Sequence, residues 1–396
     1  MPTPPVNPAI HLLDGCFYAG DPHPAFDWMR EHAPAYWDEG SGLWGITRYA
    51  DVMEISKRPD LFCSSASSRP DSPPIPSMIN LDDPAHRRRR ALVSSGFTPR
   101  RVADHEPNIR RICIDLVERA TAKGCFDFVR DVAAPLPMCI IGDLLGIDPA
   151  DHDMLLRWSE DLLSGLSASA PPAAHQSMLR AFEEYRAYHH RVVANRRAQP
   201  QQDDLISLLV RAEIDGERLD DEALLQESLL ILIGGDETTR HVASGGMYAL
   251  LRNREQYSRL RGATDRIPVA VEEMLRWVTP VQNMNRTATR DVELHGQMIR
   301  AGDKILLLYP AANRDARVFP QPHRFDSTRQ PNPHVAFGGY GAHFCLGASL
   351  ARLELRVLFE ELLCRAPTLE YTGEAPPPLR QSNFIVGLER LPVQVQ

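Results

Sequence analysis

The stretch HVAFGGYGAHFCLGASLAR (residues 334–352) sets Cys345 at the end of a glycine-rich loop, where a helix is expected to begin at once. Leu346, Leu350, Leu353 and Val357 recur at three- and four-residue spacing toward Pro367, the pattern of one apolar helix face. A cysteine at a helix N-terminus meets unpaired N–H groups and the positive end of the dipole, which favour a thiolate over a thiol. Gly338, Gly339 and Gly341 let the backbone in front of it bend sharply. An isolated free cysteine is usually a small buried hydrophobe. Here the glycines, His343 and the helix, all within a dozen residues, argue for a loop that holds a sulfur anion.

Moving toward the N-terminus, Glu273 and Arg276 stand three residues apart on a predicted helix, where their side chains meet. Such pairs are common and usually solvated. Further back, the spacing predicts one long helix over residues 221–252, opened by an acidic turn and carrying an apolar run at 229–233. Its middle reads Gly234-Gly235-Asp236-Glu237-Thr238-Thr239. Each glycine there costs about 1 kcal/mol relative to alanine, and buried carboxylates cost more unless paired. Rules broken in mid-helix point to a functional site, the plain alternative being a kink stabilised by side-chain hydrogen bonds.

Around these landmarks the chain reads as helix at 24–32, strand at 43–47 and helix at 50–57, then a Ser/Pro-rich irregular loop at 64–76. Residues 84–265 are mostly helical in periodicity. Residues 291–309 read as a β-meander (292–294, 298–299, 304–308), and 310–333 as proline-punctuated coil. With no internal repeat and no clear linker, the 396 residues read as a single domain, mainly α with a small β portion near 30–60, 290–310 and 370–396. The net charge of −8 argues against a nucleic-acid binder. No apolar run reaches the roughly 20 residues of a membrane span, and the N-terminus lacks a signal-peptide pattern, so the expected location is cytoplasmic. Seven scattered cysteines without a CxxC pair indicate neither a disulfide framework nor a thiolate zinc site.

Residues 337–352 resemble the haem-binding loop of the cytochrome P-450 monooxygenases, Phe-Gly-x-Gly-x-His-x-Cys-x-Gly followed by Leu-Ala-Arg. Gly339, Gly341, His343, Cys345 and Gly347 fall in place, but Phe337 lies eight residues before the cysteine where the pattern has seven. Glu273 and Arg276 match the family's Glu-x-x-Arg, and Arg324, in the proline-rich segment at 319–325, would complete a three-way ion network with them. Residues 83–90 (DPAHRRRR) approximate the family's Asp-x-Pro-x-His-x-x-x-Arg, and GGDETT resembles its oxygen-face motif.

The resemblance implies a cytochrome P-450 fold and haem b, with Cys345 as axial iron ligand and His86, Arg90, Arg286 and His343 holding the haem propionates. Gly234 and Gly235 would leave room for dioxygen, while Thr238 and Glu237 would handle protons. Met78, Ile79, Leu230, Ile231, Gly234, Val281, Met284, Phe384 and Ile385 would line a pocket for a hydrophobic substrate. Several stretches, RPDSPPIPSMINLDDPAH and LLILIGGDETTRHVASGG among them, resemble actinobacterial steroid side-chain hydroxylases. The implied reaction is monooxygenation of a steroid or sterol side chain with O2 and two electrons from an acidic ferredoxin and its reductase. That donor would dock on Arg87, Arg88, Arg100, Arg101, Arg110 and Arg111. The alternatives are a fatty acid, terpenoid or macrolide substrate, or a haem sensor or electron carrier that never activates oxygen.

Overall fold

The computed structural model describes residues 7–166, 170–214 and 216–396. Helix Asp221–Arg252 is 32 residues long, with bounds that coincide with those expected. The Asp220 side chain accepts from the Ala223 N–H, and Asp221 and Glu222 meet the positive end of the dipole. Every residue from Ala223 to Leu229 is buried, as in a helix enclosed by its neighbours. Those neighbours include helices Pro135–Leu145, His152–Ser164, Ile267–Val278 and Ala348–Arg365. With 53% helix and 12% strand, the fold is mainly α.

The largest sheet has five strands in the order Ala35–Asp38, Leu43–Ile46, Lys304–Leu308, Asn283–Ala288, Phe62–Cys63. This corrects the expected meander. Val292–Leu294 and Gln297–Ile299 form a separate hairpin turning at His295 and Gly296, both at positive φ. Lys304–Leu308 instead lies parallel to Leu43–Ile46 and antiparallel to Asn283–Ala288. Its residues Ile305, Leu306, Leu307 and Leu308 are all buried, and only an interior strand covers both faces of such a run. Strand Asn283–Ala288 was not expected, because Asn283, Asn285 and Arg286 occupy buried positions that usually hold apolar residues. The C-terminal strands Leu369–Tyr371 and Pro392–Val395 join a third, Cys125–Asp127, in one small sheet. Among the described residues no helix is long and apolar enough to cross a membrane.

Candidate active site

The loop carrying Cys345 is wedged against helix Tyr49–Ser56. A Cβ on Gly341 would collide with the Ser56 carbonyl, and one on Gly339 with the Ser56 side chain, so glycine is required at both positions. The helix beyond the loop starts at Ala348, with Gly347 as N-cap, so Leu346 precedes it. Cys345 donates its N–H to the Phe337 carbonyl at 3.0 Å. Phe337 thus stays tied to the cysteine despite the extra residue. The added length is taken up by a turn in which Tyr340 adopts φ 58° and stacks on Phe344, with ring centroids 4.9 Å apart.

Cys345 is an exposed residue, yet desolvation by the surrounding protein raises its thiol pKa, so the sulfur faces an interior recess. The Gly347 N–H, the charges of Arg90 and Arg352, and the Ala348 N–H oppose that rise without overcoming it. Burial thus works against the thiolate that the helix N-terminus and the nearby arginines favour. A bound metal cation is what deprotonates a ligating thiol outright.

Four further groups meet near this loop. His86 and His343 lie with ring centroids 4.0 Å apart, and the buried His86 Nε2 has no hydrogen-bond partner. Burial, Arg286, His86 and Arg90 push the His343 pKa down to about 3, so it is neutral. Burial likewise lowers His86, with Arg90 adding to the effect. Arg286 is 7% exposed and donates to the Asn285 carbonyl, while Arg90 donates to the Phe344 carbonyl. Among the described residues neither arginine has a carboxylate partner. Two such cations and an orphaned imidazole nitrogen beside a recessed sulfur fit a flat cofactor with two carboxylates and a thiolate-bound metal.

In the middle of the buried helix, Gly234 is exposed and Thr238 partly exposed. The Thr238 hydroxyl donates to the Gly234 carbonyl at 2.9 Å. A Cβ on Gly234 would meet nothing within 4 Å, whereas one on Gly235 would lie 2.5 Å from the Ile141 Cδ1. Gly234 therefore opens space, and Gly235 serves close packing on helix Pro135–Leu145.

Glu237 is fully buried among cations, 3.0 Å from Arg240, 3.1 Å from His241 and 2.9 Å from Arg380. Burial works to raise its pKa, but the His241 hydrogen bond and the three nearby charges hold it at about 2. Burial lowers the His241 pKa, with Glu237 pulling the other way. In this arrangement the surrounding donors and charges favour the ionised form of Glu237. Burial and the Glu237 charge shift its neighbour Asp236 the opposite way, up to about 7. Burial, with a smaller contribution from Asp236, raises Glu354 on the helix after Cys345. His241, four residues after Glu237, was a signal available in the sequence; Arg380 and Glu354 come from distant segments.

The pocket candidates fall into two groups. Ile79, Leu230, Val281, Met284 and Phe384 are partly exposed, whereas Met78, Ile231 and Ile385 are packed into the interior. Val281 bridges Ile385, and Gln282 donates to the Phe384 carbonyl at 2.7 Å, so these two segments run side by side.

The ion network differs from expectation. Arg276 grips Glu273 with two hydrogen bonds of 2.7 and 2.8 Å, both side chains fully buried. The third member is Arg329, whose Nε lies 3.1 Å from Glu273. Arg324 offers only its carbonyl, to Arg276 and Arg329, while its exposed side chain turns to Gln321. The arginine patch is also partly neutralised: Arg87 pairs with Asp83, Arg88 with Glu217, Arg101 with Asp203, and Arg110 with Glu106, Glu360 and Glu361. Among the described residues, Arg100 and Arg111 have no carboxylate partner.

The cytochrome P-450 family profile matches residues 157–396. A steroid C26-monooxygenase of Mycolicibacterium smegmatis is 49% identical over 98% of this chain and 96% of its own. A methyl-branched lipid omega-hydroxylase of Mycobacterium bovis is 40% identical over 93% of this chain and 90% of its own. Among solved structures, a cytochrome P-450 of Bacillus megaterium in complex with testosterone superposes with TM-score 0.86 at 33% identity, covering 94% of this chain and 99% of that one. One from Mycobacterium marinum in complex with pseudoionone reaches 0.90 at 33% identity and covers 100% of both chains. A recessed sulfur, a pair of carboxylate-seeking arginines and an opened central helix thus coincide with near full-length likeness, and the chain belongs to the cytochrome P-450 family of haem-thiolate monooxygenases.

Proposed function

We propose that this enzyme hydroxylates an unactivated C–H bond near the end of a steroid side chain. The observation that carries the substrate class is the 49% identity, across 98% of the chain, to a steroid C26-monooxygenase. The partly exposed Ile79, Leu230, Val281, Met284 and Phe384 support a hydrophobic substrate held with few polar anchors. A branched lipid chain is the second reading, favoured by the 40% identity to a methyl-branched lipid hydroxylase.

In this reading Cys345 supplies the axial sulfur of haem b, and Arg90, Arg286, His86 and His343 bind its two carboxylates. When bound, the haem supplies oxygen activation and the thiolate's electron push. The chain's own part is to exclude water, orient the substrate and hold protons. Thr238 presents a hydroxyl beside Gly234, and Glu237 must leave at least one of its cationic partners before it takes up a proton.

Electrons come, in this proposal, from an acidic cytoplasmic ferredoxin and its reductase. Arg100 and Arg111, exposed and without carboxylate partners, support a docking face, and the exposed ring of Tyr340 adds an apolar contact. Changing Arg100 and Arg111 to Glu is expected to slow reduction by about tenfold or more at low salt. Arg101→Glu should act less, because Asp203 already holds that side chain.

Titration of the holoenzyme with cholestenone tests the substrate reading. A low-to-high-spin shift and a terminally hydroxylated product are expected; neither shift nor product would overturn it. Cys345→Ser is expected to abolish the thiolate-type band of the reduced carbon monoxide spectrum. A thiolate band without oxygen-dependent product would favour a sensor or electron carrier.

A further inference from the structure

Glu227 lies on the central helix seven residues before Gly234 and is fully buried. No role in the reaction described so far uses it. Its Oε1 accepts from the Met78 N–H at 2.8 Å and from Arg89 Nη1 at 3.2 Å. Its Oε2 is buried without a hydrogen-bond partner. A carboxylate in such a place is expensive to keep, and an aliphatic side chain would fill the volume more cheaply.

What it holds is the end of the irregular pocket loop. That loop has several anchors. Asp82 accepts from the Ser64 and Ser65 N–H groups, and Asn80 from the Ser68 N–H. Asn285 bonds the Ser67 and Ser68 carbonyls, and Ser72 bonds the Leu166 carbonyl. Among the described residues, the Glu227–Met78 bond is the one hydrogen bond from this loop to the helix that carries Gly234 and Thr238. It falls where the loop enters the short 3-10 turn Met78–Asn80, so it sets the height of Met78 and Ile79 against Leu230 and Gly234.

We propose that Glu227 is a positioning residue for substrate: its carboxylate fixes the Met78–Ile79 corner of the pocket to the central helix and thereby sets which carbon of an apolar chain is presented for oxidation. This rests on the hydroxylase reading above. The Met78 hydrogen bond is the operative contact, and the Arg89 pair is secondary, since Arg89 is part-exposed and its ion pair gains less.

Three variants of the holoenzyme separate the possibilities. Glu227→Gln keeps an oxygen that accepts from Met78 and removes the charge. Glu227→Ala removes both contacts. Arg89→Met removes only the ion pair. In Glu227→Ala, hydrogen exchange at the Met78 amide is expected to accelerate by about tenfold or more, as for loss of one buried hydrogen bond. Its cholestenone dissociation constant should rise by about fivefold or more, with the ratio of terminal to subterminal products shifting. Glu227→Gln and Arg89→Met should stay within about twofold of wild type in all three measures. Haem content and the reduced carbon monoxide spectrum should be unchanged throughout, which a general loss of structure would not allow. If Glu227→Ala yields no holoenzyme, Glu227→Asp, which withdraws the carboxylate by one methylene, is read in its place.

Unchanged Met78 exchange in the Ala or Asp variant overturns the proposal, as does an unchanged product ratio. Equal defects in the Gln and Ala variants also overturn it, by placing the role in the charge. If wild-type enzyme neither binds nor oxidises cholestenone, the steroid reading fails. Met78 exchange, together with the product ratio on a branched-chain fatty acid, then decides the role of Glu227 by itself.

Discussion

Gly234 and Gly235 are adjacent and chemically identical, and their surroundings give opposite forecasts for the same substitution. Gly235→Ala drives a methyl to 2.5 Å from Ile141 and should cost about 1–3 kcal/mol, read as a lower thermal midpoint. Gly234→Ala meets nothing and should gain about 1 kcal/mol from helix propensity, while weakening the spin-state response to substrate, because the methyl stands in the space beside Thr238. From the sequence, a GG pair in mid-helix was readable as a departure needing a reason. Which glycine served packing and which served space depends on the facing helix, and no local pattern encodes that. The same limit applies to Glu237. Its place in a functional motif was legible, but the cation that helps pin it, Arg380, arrives from 143 residues away.

At the scale of elements, helix Ile267–Val278 is fastened to the loop before Cys345 through Glu273. That carboxylate receives Arg276, Arg329, the Asn332 side chain and the Asp326 N–H. Glu273→Ala would strand two buried guanidiniums and is expected to cost about 3–5 kcal/mol, measured by denaturant midpoint. Arg329→Met should cost about 3 kcal/mol for the same reason, whereas Arg324→Ala should fall within about 0.5 kcal/mol of wild type because its side chain is exposed. The Glu-x-x-Arg pair was legible because both partners sit on one helix. Its third member was not, since two arginines five residues apart in irregular chain differ only in which one the backbone turns inward. The central helix was legible at both ends, where an acidic cap and an amphipathic pattern are local signals. Strand Asn283–Ala288 was hidden because its buried face is polar, and those asparagines hold the pocket loop and the Asn383 carbonyl.

For the molecule as a whole, buried acids pull stability in two directions with pH. Glu237 and Glu272 are both held at about 2: burial is the largest single influence and opposes this, but the His241 hydrogen bond and the charges of His241, Arg240 and Arg380 together outweigh it in Glu237, and the hydrogen bonds and charges of His334 and Arg352 together do so in Glu272. Their contribution is present above the usual carboxylate range and is lost as pH falls toward 2. Glu227 is raised to about 7 by burial, against the pull of the Met78 N–H and Arg89. Its unfolded form releases its proton near 4.5 and its folded form near 7, so its contribution is complete below 4.5 and lost as pH rises to 7. The loss amounts to about 3 kcal/mol over that window, and Glu227→Gln should remove this slope from a series of denaturant midpoints between those pH values. The mainly α architecture and the position of the sulfur followed from patterns spread over the whole chain. The meeting of its two ends did not, because contacts between remote segments leave no periodic trace. One such contact has a consequence in time. Ser56 is made early and Gly341 late, and the loop that seats Cys345 takes its shape only when one closes on the other. A ribosome-bound chain that has not yet reached Gly341 lacks half of that surface, so capture of haem belongs to the finished polypeptide and not to the growing one.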